Sequence, residues 1–305
     1  MNKPLVFLLG PTAAGKSAVS LSLAKKMKIE VVSCDSMQVY RGMDIITSKP
    51  EFPEQEAVRH HLIDVARPWQ EFDVSQYRRL ALEAVAQIHK RGALPLFVGG
   101  TGLYVSVVVD GIFQADTRDE ALREKLRRKA AEFGSERLHE RLSDIDPGAA
   151  AKIHPRDTRR IIRALEVYAI TGRPMSLWQK QREGLGPEYA VRMFGLRMEP
   201  DALYRRISTR VERMFDAGIV REVKGLLKKR LSRTACAAIG IAEIKGYLDG
   251  EYGEDEAKRL MERNTRQYAR RQMTWFRKEK RIEWIEVAEE ERPEETAGRI
   301  EKMLK

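Results

Sequence analysis

The sequence predicts an α/β fold: a parallel sheet covered by helices on both faces, interrupted by a mostly helical insertion. Three observations predict it. Short apolar runs alternate with helical periods over the first hundred residues. Those runs are continuous rather than alternating, as in strands buried on both faces. From about Ala115 to Tyr189 the strands disappear and charged, helix-periodic segments take over.

Taken in order, PLVFLLG reads as a buried strand, KSAVSLSLAKKM as a helix opening at Lys16, and IEVVSCD as a second strand. VSQYRRLALEAVAQIHKRG is a helix ending at Gly92 with Arg91 in its last turn, and ALPLFVGG is a further buried strand. The insertion holds three helical stretches, ALREKLRRKAAEFG, ERLHERLSDID and RDTRRIIRALEVYAITG, whose charges read mostly as a solvated face. VRMFGLRM at 191–198 returns to strand. Helices then run from Pro200 to about Arg281, with breaks expected near Gly225, at Ala238 to Gly240 and at Gly250 to Gly253. IEWIEV is a last strand, and EVAEEERPEE is a surface turn leading to a terminal helix. The expected division is a core of residues 1–114 and 190–305 with a helical insertion at 115–189.

The bulk numbers bound the function. The chain has 305 residues, 43% apolar and 33% charged, an ordinary globular balance. Its net charge of +11 points to an anionic partner, either nucleic acid or a phosphorylated metabolite. No segment reaches the roughly 18 apolar residues of a membrane span, and Leu5 to Leu9 is too short for a signal peptide. A cytoplasmic protein without membrane attachment is therefore expected. Cys34 and Cys236 cannot build a disulfide framework or a four-ligand zinc site, and read as ordinary thiols.

Gly10-Pro11-Thr12-Ala13-Ala14-Gly15-Lys16-Ser17 fits G-x-x-x-x-G-K-[ST] between a predicted strand and a predicted helix, the context a P-loop requires. The glycines let successive N–H groups face inward, and the helix N-terminus adds positive potential. Lys16 supplies a point charge to phosphate, and the Ser17 hydroxyl suits Mg²⁺. The fold expectation sharpens accordingly to a P-loop NTPase-like core. A second glycine-rich turn, Val98 to Tyr104, follows another strand and should face the same cleft, with Thr101 offering a hydroxyl there. Asp35 stands at a strand tip on that edge. It is open to three roles: holding Mg²⁺ through water, acting as a general base, or capping the helix that follows.

Near the C-terminus, Lys258 to Arg281 holds ten basic residues and two acidic ones. Arg259, Arg263, Arg266, Arg270, Arg277 and Arg281 fall within about 60° of arc on a helix of 100° per residue. Met261, Tyr268, Trp275 and Phe276 lie opposite, suited to packing. The few acids at i±4 favour a stripe that follows a phosphate backbone over a merely solvated face.

Together these segments resemble the tRNA dimethylallyltransferase (tRNA isopentenyltransferase) family, bacterial type, over nearly the whole chain. The resemblance is carried by GPTAAGKS, DSMQVYRGMDI with Thr47, Lys49 and Pro50, HHLIDV, VGGTGLY and RRIIRALEV. Further on it is carried by the Arg206/Arg210 region with Met214, Gly218 and Glu222, by AIG at 238–240, and by TRQYARRQMTWFR. The chain departs from the pattern at Ile46, where the family has Gly, and at Ile241 and Ala242, where it has an aromatic and a basic residue. No Cys–His cluster of the eukaryotic zinc-finger extension is present.

The resemblance implies transfer of a dimethylallyl group from dimethylallyl diphosphate to the exocyclic amine of the adenosine 3′ of the anticodon, position 37 of tRNA, with release of diphosphate and with Mg²⁺ as cofactor. It implies that residues 10–17 and Arg210 hold the diphosphate, that Asp35 is the base, and that Thr101 sits between leaving group and acceptor. Asp35, Ser36, Met37 and Gln38 then hold the target nucleotide. Arg123 and the stretch Arg159, Arg160, Ile161, Ile162 and Arg163 contact the surrounding tRNA, the insertion serving as a second jaw on the anticodon stem-loop. Arg266 and Arg270 belong to the basic stripe, and a monomer is expected. The rival readings are a small-molecule kinase, an isopentenyltransferase acting on free adenine nucleotides, and a non-enzymatic RNA-binding switch.

Overall fold

The computed structural model describes residues 2–113 and 119–305. Six strands form one all-parallel sheet: β1 (Lys3–Leu9), β2 (Ile29–Cys34), β3 (His60–His61), β4 (Leu94–Gly99), β5 (Tyr189–Arg197) and β6 (Ile282–Glu286), in the order β3-β2-β4-β1-β5-β6. The parallel arrangement and the continuous apolar runs agree: Leu5 to Leu9 are at most 1% exposed, so both faces of β1 are covered. The helices Lys16–Ala24, Pro200–Asp216 and Pro293–Leu304 contribute Val19, Leu23, Leu203, Ile207, Ala297 and Ile300 to one core with Val6, Leu8, Phe194 and Leu196.

Register positions the site. Gly99 pairs with Leu9 on one side and with Cys34 on the other, so β1, β4 and β2 end in one row. Gly10, Gly100 and Asp35 therefore emerge side by side at the carboxyl edge of the sheet, where ligands of such sheets bind. Gly99 is required for this approach, since a Cβ there would lie 2.1 Å from the Cys34 carbonyl oxygen.

The chain divides into two compact units, Met1–Val108 with Gly186–Lys305, and Val109–Leu185. The 114/115 border expected from the sequence lies outside the described residues. Helices Glu120–Phe133, Ser135–Ile145 and Thr158–Thr171 of the second unit correspond to the three predicted stretches, and close on a core of Leu126, Leu138, Leu142, Ile161, Leu165 and Val167.

Three elements differ from expectation. The break expected at Gly225 falls at Gly218, whose φ of +91° is left-handed, while the helix Ile219–Leu227 runs through Gly225. Strand β3 is two residues long and carries no apolar run. The helix Gly102–Val109 is apolar all round, with no amphipathic period to announce it. Among the described residues no helix is long and apolar enough to cross a membrane.

Candidate active site

The segment 10–17 is a sharp turn between β1 and the helix Lys16–Ala24. Gly10 has φ +145° and Gly15 φ +89°, and Ala13 is itself left-handed at +66°. A Cβ at Gly10 would stand 2.8 Å from the Leu196 carbonyl oxygen, so the turn needs glycine for space as well as for torsion. Pro11 and Ala14 are buried, while Thr12, Ala13, Gly15, Lys16 and Ser17 line a cavity of about 570 Å³.

Lys16 Nζ donates to the carbonyls of Gly10 (3.0 Å) and Pro11 (2.7 Å). Burial pushes its pKa down to about 8; Asp35 opposes the shift and Arg210 adds to it. Arg210 reaches across from the helix Pro200–Asp216 to donate to Thr12 Oγ1 at 2.9 Å, and burial lowers its pKa, again against Asp35. Two desolvated cations thus share the cavity with Asp35, and Arg205, Arg206 and Arg213 line it further out beside Glu54 and Glu289. That is a strong attractor for a multiply charged anion.

Asp35 leads into a turn, not a helix, and this corrects the helix-capping alternative. Its Oδ1 accepts from Met37 N (2.8 Å) and Gln38 N (3.4 Å), which fixes the carboxylate at the cavity wall; among the described residues Oδ2 accepts no hydrogen bond. Thr101 does not line the cavity. Its Oγ1 accepts from Ser36 N at 3.1 Å and its N–H donates to Cys34 O at 3.1 Å, so it ties the second glycine turn to the Asp35 turn. Gln38 is spoken for within the chain, with Ser33 Oγ donating to its Oε1 and its Nε2 donating to the Thr47 and Ser48 carbonyls. Cys34, raised by burial to about 12, stays a thiol and is no nucleophile at neutral pH.

Three residues of this site lie in segments that carry the resemblance but have no site role in the sequence reading. Gln272, 6% exposed on the helix Glu254–Phe276, accepts from Thr12 N (2.9 Å) and donates to Gly100 O (3.0 Å), joining the two glycine turns. Its signal was a polar side chain on the apolar arc of that helix. Tyr268, one turn earlier and read as packing, lies close to Asp35 and Thr101 and is pushed up to about 12, first by burial and then by Asp35. Glu222 accepts from three successive amides, Asp44, Ile45 and Ile46, at 2.9–3.0 Å, and so shapes the loop that brings Thr47, Ser48 and Pro50 to the cavity.

Gln272→Leu should destabilise the fold by about 1–3 kcal/mol in denaturant unfolding, because Thr12 N and Gly100 O lose their partner in the interior. Gly100→Ala should act from the other side, since its Cβ would sit 2.0 Å from Gln272 Nε2. Wild-type stability in both variants would show that the two turns are not held through Gln272.

The basic stripe needs correction. The helix stops at Phe276, so Arg281 is off it and pairs with Glu279. Acids absent at i+4 are present at i−3 and i−4: Arg259 pairs with Glu256, and Arg266 with Glu262. Arg266 also donates to Ser208 Oγ, and Arg270 donates to the Tyr204 hydroxyl at 2.8 Å with both guanidiniums over that ring. Part of the stripe therefore braces the helix Pro200–Asp216. In the second unit Arg123 and Arg163 both bind the fully buried carboxylate of Glu166, and Arg159 and Arg160 are exposed. Ile161 and Ile162, at 0% and 7% exposure, are core residues whose side chains do not face an RNA. Of the departures, Ile46 and Ile241 are buried and Ile46 packs over Gly240, so they alter packing beneath a loop; Ala242 alone is exposed.

A parallel sheet whose strand tips converge on a glycine-rich turn, with Lys16 and Arg210 sharing a cavity with Asp35, defines an α/β protein of P-loop-like fold with a charged cleft. A family model described as IPP transferase matches residues 38–279. The chain belongs to that family. It is similar to the tRNA dimethylallyltransferase of Geobacter metallireducens, 46% identical over 284 residues covering 92% of each chain, and to that of Geobacillus thermodenitrificans, 44% identical over 309 residues covering 100% of this chain and 96% of the other. Among solved structures it resembles the full-length tRNA isopentenylpyrophosphate transferase of Bacillus halodurans, with TM-score 0.73, 41% identity, and coverage of 100% and 96%. It also resembles a eukaryotic dimethylallyltransferase described as acting on tRNA, with TM-score 0.78, 28% identity, and coverage of 93% and 74%.

Proposed function

We propose that the chain transfers a dimethylallyl group from dimethylallyl diphosphate to the exocyclic amine of the tRNA adenosine 3′ of the anticodon. The observation that carries this reading is the shared cavity: anion-binding Lys16 and Arg210 stand across from a carboxylate whose Oδ1 is fixed by backbone amides. A kinase would find a phosphate grip here too. Family membership and the names of the relatives favour the prenyl donor.

In the reaction a bond forms between the adenine exocyclic nitrogen and the first carbon of the dimethylallyl group, while the bond from that carbon to the diphosphate oxygen breaks. Diphosphate leaves with the electron pair, and the amine proton passes to Asp35. The adenine amine is a poor nucleophile because its lone pair is delocalised, so a base acting during attack contributes. Lys16 and Arg210 offset the charge developing on the leaving group, and do so most strongly where water is excluded. Gln272 keeps that loop in register with Gly100, and Thr101 keeps Asp35's turn in place. The Ser17 hydroxyl, exposed beside Lys16 in the cavity, would hold Mg²⁺ there. When bound it supplies further charge to the departing diphosphate.

The reading includes a monomer acting in the cytoplasm, which suits its two free thiols. It is tested by incubating the protein with labelled dimethylallyl diphosphate, unmodified tRNA and Mg²⁺, beside an ATP-hydrolysis control. Label should enter tRNA and no ATP should be consumed. Brisk ATP turnover without labelled tRNA would establish the kinase reading, and transfer to free adenine nucleotides alone would establish the nucleotide prenyltransferase.

A further inference from the structure

A second concave surface lies outside the reaction cavity. It is a hollow of about 920 Å³ lined by Trp69, Glu71, Lys229, Arg230, Leu231, Ser232 and Arg233. Trp69 is 44% exposed, and two cations rest on its ring, Arg67 at 5.5 Å and Lys229 at 5.4 Å from the centroid. Arg67, Lys229, Arg230 and Arg233 are all exposed, and among the described residues none of them forms an ion pair. This sets them apart from Arg205, Arg259, Arg266 and Arg281, each of which has a carboxylate partner. The one acid of the hollow, Glu71, is turned to the backbone, its Oε1 accepting from Arg233 N at 3.0 Å. Against one carboxylate the hollow and its edge thus carry Arg67, Lys229, Arg230 and Arg233, and its charge is positive on balance.

The hollow is also built rather than casual. Ser232, 5% exposed, donates its N–H to Pro68 O at 2.7 Å, which stitches the Trp69 loop to the Lys229–Arg233 loop. Its Oγ meets the hydroxyl of fully buried Tyr40. Tyr40 bridges to Ala66, with Ala66 N donating to Val39 O and Arg41 N to Ala66 O, both at 2.9 Å. Val39 to Arg41 directly follow the Asp35–Gln38 turn. With Asp64 N donating to Gln38 O at 3.1 Å, three backbone bonds tie the segment that leads to the hollow to the turn that carries the candidate base.

We propose that this hollow holds the RNA strand flanking the acceptor adenosine, with Arg67, Lys229, Arg230 and Arg233 on its phosphates and Trp69 fixing the cations and offering its exposed surface to an unpaired base. The inference rests on the tRNA reading of the reaction cavity. Cations interleaved with an exposed aromatic are what a single-stranded loop requires: charge that tracks the backbone and a ring on which a splayed base can stack. Neither the donor nor a free nucleotide is long enough to need it.

The test uses the full-length protein and an unmodified tRNA transcript. In the double variant Lys229→Glu, Arg230→Glu the KM for tRNA should rise at least about tenfold at low salt. The slope of log KM against log salt should fall by roughly 1.4–1.8, as for two lost phosphate contacts. The KM for dimethylallyl diphosphate should not move, a split that general damage to the fold would not give. Trp69→Ala should raise the tRNA KM, and Trp69→Phe should restore most of it. An unchanged tRNA KM and salt slope in an active double variant would overturn the proposal. A wild-type protein that never labels tRNA would instead overturn the tRNA reading itself.

Discussion

Asp35→Asn should lower the turnover of prenyl transfer by ~10²–10⁴, the usual worth of a general base, while the thermal midpoint stays near that of the wild type. The asparagine keeps an oxygen where Oδ1 now accepts from Met37 N and Gln38 N, so the turn survives; only the capacity to take a proton is lost. Asp35→Ala should show the same kinetic loss together with a destabilisation of about 1 kcal/mol from the orphaned amides. The pair separates chemistry from scaffolding, which the alanine variant alone would confound. Affinity for tRNA should change little in either, since the proposed hollow at Trp69 would still hold the strand that flanks the acceptor. An Asp35→Asn enzyme with full turnover would remove the base assignment and leave Asp35 as a turn cap.

What was legible in the sequence was local. The segment 10–17 announces itself because every specified position serves one turn and one helix start, and Asp35 because a buried strand ends beside it. Gln272 could not be read in this way. Its two partners lie 260 and 172 residues away, and only the packing of one helix against two strand tips brings them together. The arginine stripe is legible only in part, for the opposite reason. The helical wheel correctly sets Arg266 and Arg270 on one face, but it cannot say that their guanidiniums bond Ser208 and Tyr204 of a neighbouring helix. Likewise RRIIRALEV reads as one RNA-facing block, yet its helical period turns Ile161 and Ile162 inward, draws Arg163 onto the buried Glu166 and leaves Arg159 and Arg160 outside. The basic hollow at Trp69 joins two loops about 160 residues apart, neither of which is distinctive alone.

Donor affinity should fall as pH rises above about 8, because Lys16 titrates there in the folded protein. Bound diphosphate favours the ammonium form, so affinity is fully present below that value. Above it, affinity declines by about tenfold per pH unit, as each binding event must then take up a proton. Unfolding does not explain such a loss. Between about 8 and the ordinary 10.5 the unfolded chain holds more protons at Lys16 than the folded one, so this group's contribution to stability rises with pH across that window. Lys16→Arg, whose charge does not titrate in this range, should bind diphosphate with an altered affinity but without the extra slope. Comparing the two slopes also cancels the titration of the ligand itself. Because Asp35 raises the pKa of Lys16, Asp35→Asn should move the onset of the decline to lower pH. Binding measured by calorimetry across this range checks both points. A wild-type slope identical to that of Lys16→Arg would mean that Lys16 keeps its proton throughout, and that burial does not govern its charge.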